Sequence, residues 1–217
     1  MKLIGIDLDG TLEDSRDDMV AAARRVRANL GLAARADEQL RPFVNAGMDQ
    51  LYRACFDDLL AVDPSRIAEV RTAYEADYLA NVAEHTRLYE GVAPALAALA
   101  QLGTLCCITN KPEHISRRLL DELGVGALFH TVVGGDSCAE IKPSPLMLRT
   151  AAQRCSFDPT AAGARSYMIG DTAADLQLAR SFGATAVWCA WGYASSAPAE
   201  PDAIARVPAD LVRIVTA

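Results

Sequence analysis

The sequence predicts an α/β fold, a doubly wound parallel sheet with an α-helical cap inserted after its first strand. Three observations carry this. The chain opens on a short apolar run, Lys2-Leu3-Ile4-Gly5-Ile6, that ends in Asp7-Leu8-Asp9. From about 15 to 86 the apolar residues recur at helical spacing, with no strand-like alternation. After Gly91, short apolar runs alternate with amphipathic stretches, the pattern of parallel strands joined by crossover helices. The expected division is a core of 1–15 and 87–217 and a cap of 16–86. At 217 residues the chain is long enough for one domain with an insertion.

Residues 3–8 read as the first buried strand. The stretch 15–30 sets Met19, Ala22, Ala23, Val26 and Leu30 on one helical face, with Ser15 as N-cap. The stretches 48–60 (Leu51, Cys55, Leu59) and 65–84 (Ile67, Val70, Tyr74, Tyr78, Leu79) repeat that spacing. Then come helix 92–101, strand 104–109, helix 113–123 closed by Gly124, strand 129–133 and helix 144–155. Strand 166–170, helix 173–182 closed by Gly183, strand 185–190 and a last short helix 209–215 complete the order. Residues 195–201, rich in Ala, Ser and Pro, read as a surface loop.

Composition excludes several classes of function. A hydrophobic fraction of 51% and a charged fraction of 23% are those of an ordinary soluble globule. The net charge of -7 argues against a nucleic-acid binder, which needs surplus Lys and Arg. No apolar run approaches the ~20 residues of a membrane span. The opening strand leaves no room for a targeting leader. The 6 cysteines show no CxxC spacing and read as small core hydrophobes in a reducing compartment. The expectation is a cytoplasmic protein, monomer or homodimer, with no nucleic-acid or membrane partner. His85, His114 and His130 lack metal-ligand spacing and read as surface or packing residues.

The strand ends carry the chemistry. The first holds Asp7 and Asp9, followed by Gly10 and Thr11. The second holds Thr109-Asn110-Lys111-Pro112, and Lys142-Pro143 precedes a helix. A further strand ends in Gly170-Asp171-Thr172-Ala173-Ala174-Asp175. Each motif alone is an ordinary turn or helix start. In a parallel sheet, all of them converge at the carboxyl edge, where such sheets bind ligands.

Asp7, Asp171 and Asp175 together repel an anion unless a divalent ion with oxygen ligands intervenes, and Mg²⁺ suits such a site beside a phosphate. Lys142 adds a point charge for a phosphoryl group. The Thr109 hydroxyl and backbone N–H groups near Gly10 and Asn110 suit its remaining oxygens. Asp7 then reads as nucleophile and Asp9 as general acid/base, kept protonated by carboxylate neighbours.

These residues resemble the motifs of the haloacid dehalogenase superfamily of phosphatases. Asp7-Leu-Asp-Gly-Thr-Leu is similar to its first motif, Thr109-Asn110 to its second, Lys142-Pro143 to its third, and Gly170-Asp171 with Asp175 to its fourth. The resemblance spans the chain. It implies a Rossmann-like core, Asp7 as nucleophile, Asp9 as acid/base, and phosphate binding by Gly10, Thr109, Asn110 and Lys142. It implies Mg²⁺ on Asp7, the Asp9 carbonyl and Asp171, with Asp175 and Thr11 in support. The cap is expected to close by a hinge near Ser15 and Leu88.

Within the superfamily the chain is most similar to phosphoglycolate phosphatases, through Thr109-Asn-Lys-Pro, Gly134-Gly-Asp, Trp191-Gly-Tyr193 and the cap segment Val44-Asn-Ala-Gly-Met-Asp-Gln-Leu51. That segment resembles a specificity loop, which assigns substrate contacts to Asn45, Ala46, Gly47 and Met48. Arg16, Arg41 and Arg53 are candidates for a substrate carboxylate or, more plainly, a solvated helix face. Two departures stand out: Glu13 where an apolar residue is usual, and Asn45-Ala46-Gly47 in place of a glycine-rich loop.

The expected substrate is a small phosphorylated metabolite, phosphoglycolate foremost. The alternatives are a sugar phosphate, nucleotide or pyrophosphate, or a β-phosphoglucomutase-like activity, whose family usually carries an acidic residue where Gly170 stands. A non-catalytic binding protein on this scaffold is opposed by intact Asp7, Asp9, Lys142 and Asp171. A dehalogenase-type enzyme lacks the second aspartate, here Asp9.

Overall fold

A computed structural model describes residues 1–44, 47–198 and 200–217. The chain divides into two compact units, Met1–Asp14 with Leu88–Ala217, and Ser15–Arg87. Along the chain, β1 is Lys2–Ile6 and β2 the two-residue strand Glu13–Asp14. The helical unit follows with α1 Arg16–Asn29, α2 Asp37–Leu40, α3 Met48–Cys55, α4 Asp57–Val62 and α5 Ile67–Ala80. The chain returns through β3, Arg87–Leu88. The rest runs α6 Val92–Ala100, β4 Thr104–Ile108, α7 Glu113–Glu122, β5 Thr131–Val133, α8 Leu146–Arg154, β6 Arg165–Gly170, α9 Ala173–Phe182, β7 Thr185–Cys189, β8 Ala203–Ala205 and α10 Ala209–Thr216.

The core unit is built on a 6-stranded sheet in the order β5-β4-β1-β6-β7-β8. Every pairing in it is parallel. The chain fills one side of β1 with β4 and β5, then crosses back to fill the other side with β6, β7 and β8. The order therefore reverses at β1, and the carboxyl ends of β1, β4 and β6 frame the crevice that doubly wound sheets use for ligands. Apolar residues cover both faces. Along β4, Cys106 and Ile108 join a core with Leu3, Met147, Leu148, Met168, Leu176 and Trp188. The intervening Leu105 and Cys107 are buried as well. A strand buried on both faces reads as continuous apolar sequence, which is why Thr-Leu-Cys-Cys-Ile was recognisable.

In the helical unit α1 packs against α5. Tyr74 lies on α5 and donates its hydroxyl to the Met19 carbonyl at 3.0 Å. Tyr52 and Tyr78 flank its ring, edge-on at 5.4 Å and stacked at 6.1 Å. Arg27 is buried, and its guanidinium reaches three places. It donates to the Ala33 carbonyl at 2.7 Å, to the Cys55 carbonyl at 2.6 Å, and to both Asp58 oxygens at 2.9 and 2.7 Å.

That arginine explains a departure from the expected helix 48–60, which is two helices. Arg27 takes the Cys55 carbonyl, and the Leu59 N–H turns instead to the Phe56 carbonyl at 3.1 Å. Phe56 leaves helical geometry at φ -127 and ψ 26, with its side chain buried. Two smaller differences concern Ser15 and β8. Ser15 occupies the N-cap position of α1 without a side-chain cap bond, and its buried hydroxyl points to Met19 Sδ at 3.5 Å. Strand β8 follows the loop around 195–201 and pairs with β7. Gly124 and Gly183 do follow their helices in left-handed geometry, at φ 73 and 87.

Candidate active site

The first strand delivers its acids by continuing one residue past its end. The Asp7 N–H still donates to the Ile169 carbonyl of β6 at 2.9 Å, so Asp7 stays in the ladder while Leu8 begins a tight turn. That turn closes through Leu12 N–H to Leu8 carbonyl at 2.9 Å and Gly10 N–H to Glu13 carbonyl at 2.9 Å. Gly10 holds φ 80, and a Cβ there would stand 2.6 Å from Asp171 Oδ2. Only glycine permits both the conformation and the approach.

Lys142 lies at the centre of the cluster. Its buried Nζ is 2.6 Å from Asp7 Oδ1 and 2.8 Å from Asp175 Oδ1. Its loop is tied to the second strand end, because the Lys142 N–H donates to Asn110 Oδ1 at 3.0 Å. The Lys142-Pro143 peptide is cis. Thr109 remains in register through its N–H to the Val133 carbonyl at 3.0 Å, and its hydroxyl accepts from the Lys111 N–H at 3.2 Å.

Asp175 has a double duty. Its Oδ2 accepts from the Thr172 hydroxyl at 2.6 Å and the Thr172 N–H at 3.0 Å, closing a capping box at the start of α9. Its Oδ1 is left for Lys142. Asp171 is held from three sides. Thr11 donates to Oδ1 at 3.3 Å, the Tyr193 N–H to Oδ2 at 2.8 Å, and Trp188 Nε1 to its backbone carbonyl at 3.2 Å.

Burial and crowding set the electrostatics. Asp7 is raised well above the usual carboxylate range, first by burial and then by the charge of Asp175, against the pull of Lys142. Burial lifts Asp171 to about 6, with the Tyr193 N–H opposing and the Asp175 charge adding. Burial works against the Lys142 ammonium, but Asp175 and Asp7 outweigh it and hold its pKa above normal.

Asp7, Asp171 and Asp175 present carboxylate oxygens within 4.8 Å of one another. The set is all oxygen, buried and anionic beyond what Lys142 offsets, and among the described residues the Leu8 N–H and Lys142 both meet Asp7 at Oδ1. These groups fit a hard divalent cation.

The structure brings Asp7, Asp9, Gly10, Thr11, Thr109, Asn110, Lys142, Asp171 and Asp175 to one sheet edge. One neighbour was unexpected. Carboxylate neighbours were expected around Asp9, and it meets a cation: buried Lys111 places Nζ 2.5 Å from Asp9 Oδ1. Lys111 was visible only as part of a turn, and Tyr193 contributes a backbone group that no side-chain pattern reveals. Glu13, the departure in the first motif, is fully buried.

Of the cap positions, Asn45 and Ala46 lie outside the described residues. Gly47 has φ 90, and Met48 begins α3. Arg53 pairs with Asp49 at 2.7 Å and Arg41 with Asp17, both exposed, as a solvated helix face requires. A second acidic group, Asp18, Glu84 and His85, lies in the helical unit. There Asp18 accepts from the N–H groups of His85 and Thr86 at 2.9 Å and the Thr86 hydroxyl at 2.6 Å, so it is a backbone anchor.

The model of the family described as haloacid dehalogenase-like hydrolase matches residues 4–189. The chain belongs to the haloacid dehalogenase-like hydrolase family. Among curated proteins it is similar to the phosphoglycolate phosphatase of Xylella fastidiosa (strain 9a5c), 36% identical over 190 residues that cover 87% of this chain and 80% of the relative. The phosphoglycolate phosphatase of Vibrio vulnificus (strain YJ016) is 32% identical over 223 residues, covering 99% and 96%. Among solved structures, a protein of Haemophilus somnus 129PT described as a predicted phosphoglycolate phosphatase aligns with TM-score 0.82 and 28% identity over 99% of this chain and 97% of that one.

Proposed function

We propose that this chain is a Mg²⁺-dependent phosphomonoester hydrolase that works through an aspartyl-phosphate on Asp7, with phosphoglycolate or a similar small phosphorylated metabolite as substrate. The observation that carries the reading is the buried Asp7–Lys142–Asp175 contact beside Asp171, with Asp9–Lys111 on the other side of the same turn. Family membership and the curated relatives named phosphoglycolate phosphatase support it.

Mg²⁺ would be held by Asp7, the Asp9 carbonyl and Asp171, where it neutralises charge on the phosphoryl group. Asp7 attacks phosphorus, and Lys142 and the Thr109 hydroxyl bind the oxygens of the group being transferred. Asp9 gives its proton to the leaving alkoxide and then takes one from the water that cleaves the acyl phosphate. Lys111 holds the Asp9 carboxyl in place for both transfers. Asp175 orients Lys142 and fixes the start of α9.

A mutase reading has less support. A Cβ at Gly170 would lie 2.3 Å from Asp175 Cγ, so an acidic side chain has no room there without displacing the Lys142 partner.

No helix among the described residues is long and apolar enough to cross a membrane, and the described cysteines are all free thiols. The reading takes the enzyme to be cytoplasmic, with a small phosphorylated metabolite as its partner. The test is turnover by purified protein with Mg²⁺ against a panel of phosphorylated metabolites and an aryl phosphate. Preference for phosphoglycolate supports the full reading. Equal turnover of sugar phosphates and nucleotides removes the substrate assignment and leaves the phosphatase, and no turnover of any ester removes both.

A further inference from the structure

Cys106 and Cys155 lie 49 residues apart in sequence, yet their sulfurs are 3.3 Å from each other. Cys106 sits mid-strand on β4, between Gly5 of β1 and Thr131 of β5. Cys155 follows the last residue of α8, where the helix ends with the Phe157 N–H on the Ala152 carbonyl at 2.8 Å and Ser156 in left-handed geometry at φ 51. Cys106 is fully buried and Cys155 is partly exposed. Cys155 is therefore the more accessible residue of the pair, and Cys106 lies deeper in the core. Among the described residues, neither group of three or more carboxylate, imidazole or thiol ligands includes a cysteine. The pair has the makings of a cross-link and lacks those of a metal centre.

We propose that Cys106 and Cys155 form a modification site, a dithiol that a peroxide converts to an intramolecular disulfide joining β4 to the end of α8. In the first step the Cys155 thiolate attacks one peroxide oxygen. The O–O bond breaks, the other oxygen leaves as hydroxide and is protonated to water, and Cys155 becomes a sulfenic acid. In the second step the Cys106 sulfur attacks the Cys155 sulfur, the S–O bond breaks, and the hydroxyl leaves as water with the Cys106 proton. Two thiols lose two electrons in all, and one hydrogen peroxide becomes two waters. The sulfurs must close from 3.3 Å to about 2.05 Å for the bond to form.

The order of reaction follows from the surroundings. Burial raises both thiols above their ordinary range. At Cys155 the hydrogen bond from Cys106 and the charge of Arg154 oppose that rise, and nothing comparable opposes it at Cys106. Cys155, the more exposed of the two and the one whose rise is opposed, is thus the sulfur placed to meet the oxidant first.

The experiment treats the full-length protein with hydrogen peroxide, blocks remaining thiols under denaturing conditions, and maps peptides without reduction. The expected result is loss of two thiols, one linked peptide pair containing Cys106 and Cys155, and recovery of both thiols on reduction. Cys155→Ser should abolish the link and leave Cys106 as a thiol. Cys106→Ala, treated with oxidised glutathione, should trap Cys155 as a stable mixed disulfide, which tests accessibility even if the strand variant is weakened. A link through Cys138 instead, a Cys155 sulfinate with Cys106 still reduced, or an unreacted Cys155 where Cys138 is modified would overturn the proposal.

Discussion

Lys111 Nζ stands 2.5 Å from Asp9 Oδ1, a buried cation on the carboxyl group assigned to proton transfer, although the two are 102 positions apart in sequence. A side chain that must donate and accept a proton at one point in space gains from a fixed partner. Lys111→Ala should leave the fold intact and slow turnover by at least ~10-fold, less than the about 10²–10⁴-fold that general acid–base catalysis supplies. Lys111→Arg should recover part of the loss. The check is kcat and KM for all three proteins. An unchanged kcat in Lys111→Ala would reduce the contact to a structural one.

Metal removal is the second expectation. The carboxylates of Asp7, Asp171 and Asp175 concentrate charge that Lys142 alone does not balance. Excess chelator should abolish phosphatase activity, and added Mg²⁺ should restore it. Ca²⁺ should inhibit, because its larger and looser shell spoils alignment of the phosphoryl group. Steady-state rates with and without chelator decide this, and full activity in chelator would refute it.

Asp171 supplies a pH prediction for the metal-free protein. Its folded pKa is about 6, above the ~3.9 of an unfolded aspartate, so the fold disfavours the charged form. The cost is absent below the unfolded value, grows through the interval, and is complete above about pH 6. Asp171→Asn should therefore raise the stability of metal-free protein at about pH 8, by on the order of 2–3 kcal/mol, and the gain should shrink toward about pH 4. Urea unfolding at both pH values measures it. A gain that does not change with pH would mean that the amide acts by another route.

In the helical unit, the buried Arg27 guanidinium serves the Ala33 and Cys55 carbonyls and Asp58. Arg27→Met strands the buried Cys55 carbonyl and removes the partner of the Ala33 carbonyl and of Asp58, and should cost about 2–3 kcal/mol. Asp58 is partly solvated, so Asp58→Asn should cost only on the order of 1 kcal/mol after screening. Hydrogen bonding to Arg27 holds Asp58 down to about 2, so its contribution is present above the unfolded value and disappears as pH falls toward 2. Thermal unfolding of both variants tests the ranking, which equal losses would contradict.

The fold was legible where local pattern and burial agree. The strand 104–109 showed itself because both faces are covered, and the acids at 7, 9, 171 and 175 showed themselves because they follow apolar runs. What stayed hidden depends on distant partners. Leu51, Cys55 and Leu59 keep helical spacing straight through the break at Phe56, because the break is made by Arg27 from another helix. Strand β8 is Ala-Ile-Ala, too short and too rich in alanine to announce itself, and exists through its pairing with β7. Lys111 looked like part of a turn, since its partner Asp9 belongs to a different strand end. The Tyr193 N–H that holds Asp171 belongs to the backbone, on which residue identity says little.

The central claim is that Asp7 is the phosphoryl acceptor. The most direct measurement is acid quenching of the enzyme with Mg²⁺ and excess phosphoglycolate during turnover, followed by mass spectrometry of the peptides. A phosphoryl increment should appear on the peptide containing Asp7, map to that residue, and be absent in Asp7→Asn, which should also lose turnover by many orders of magnitude. An adduct on any other residue, or turnover by Asp7→Asn at the wild-type rate, would contradict the account.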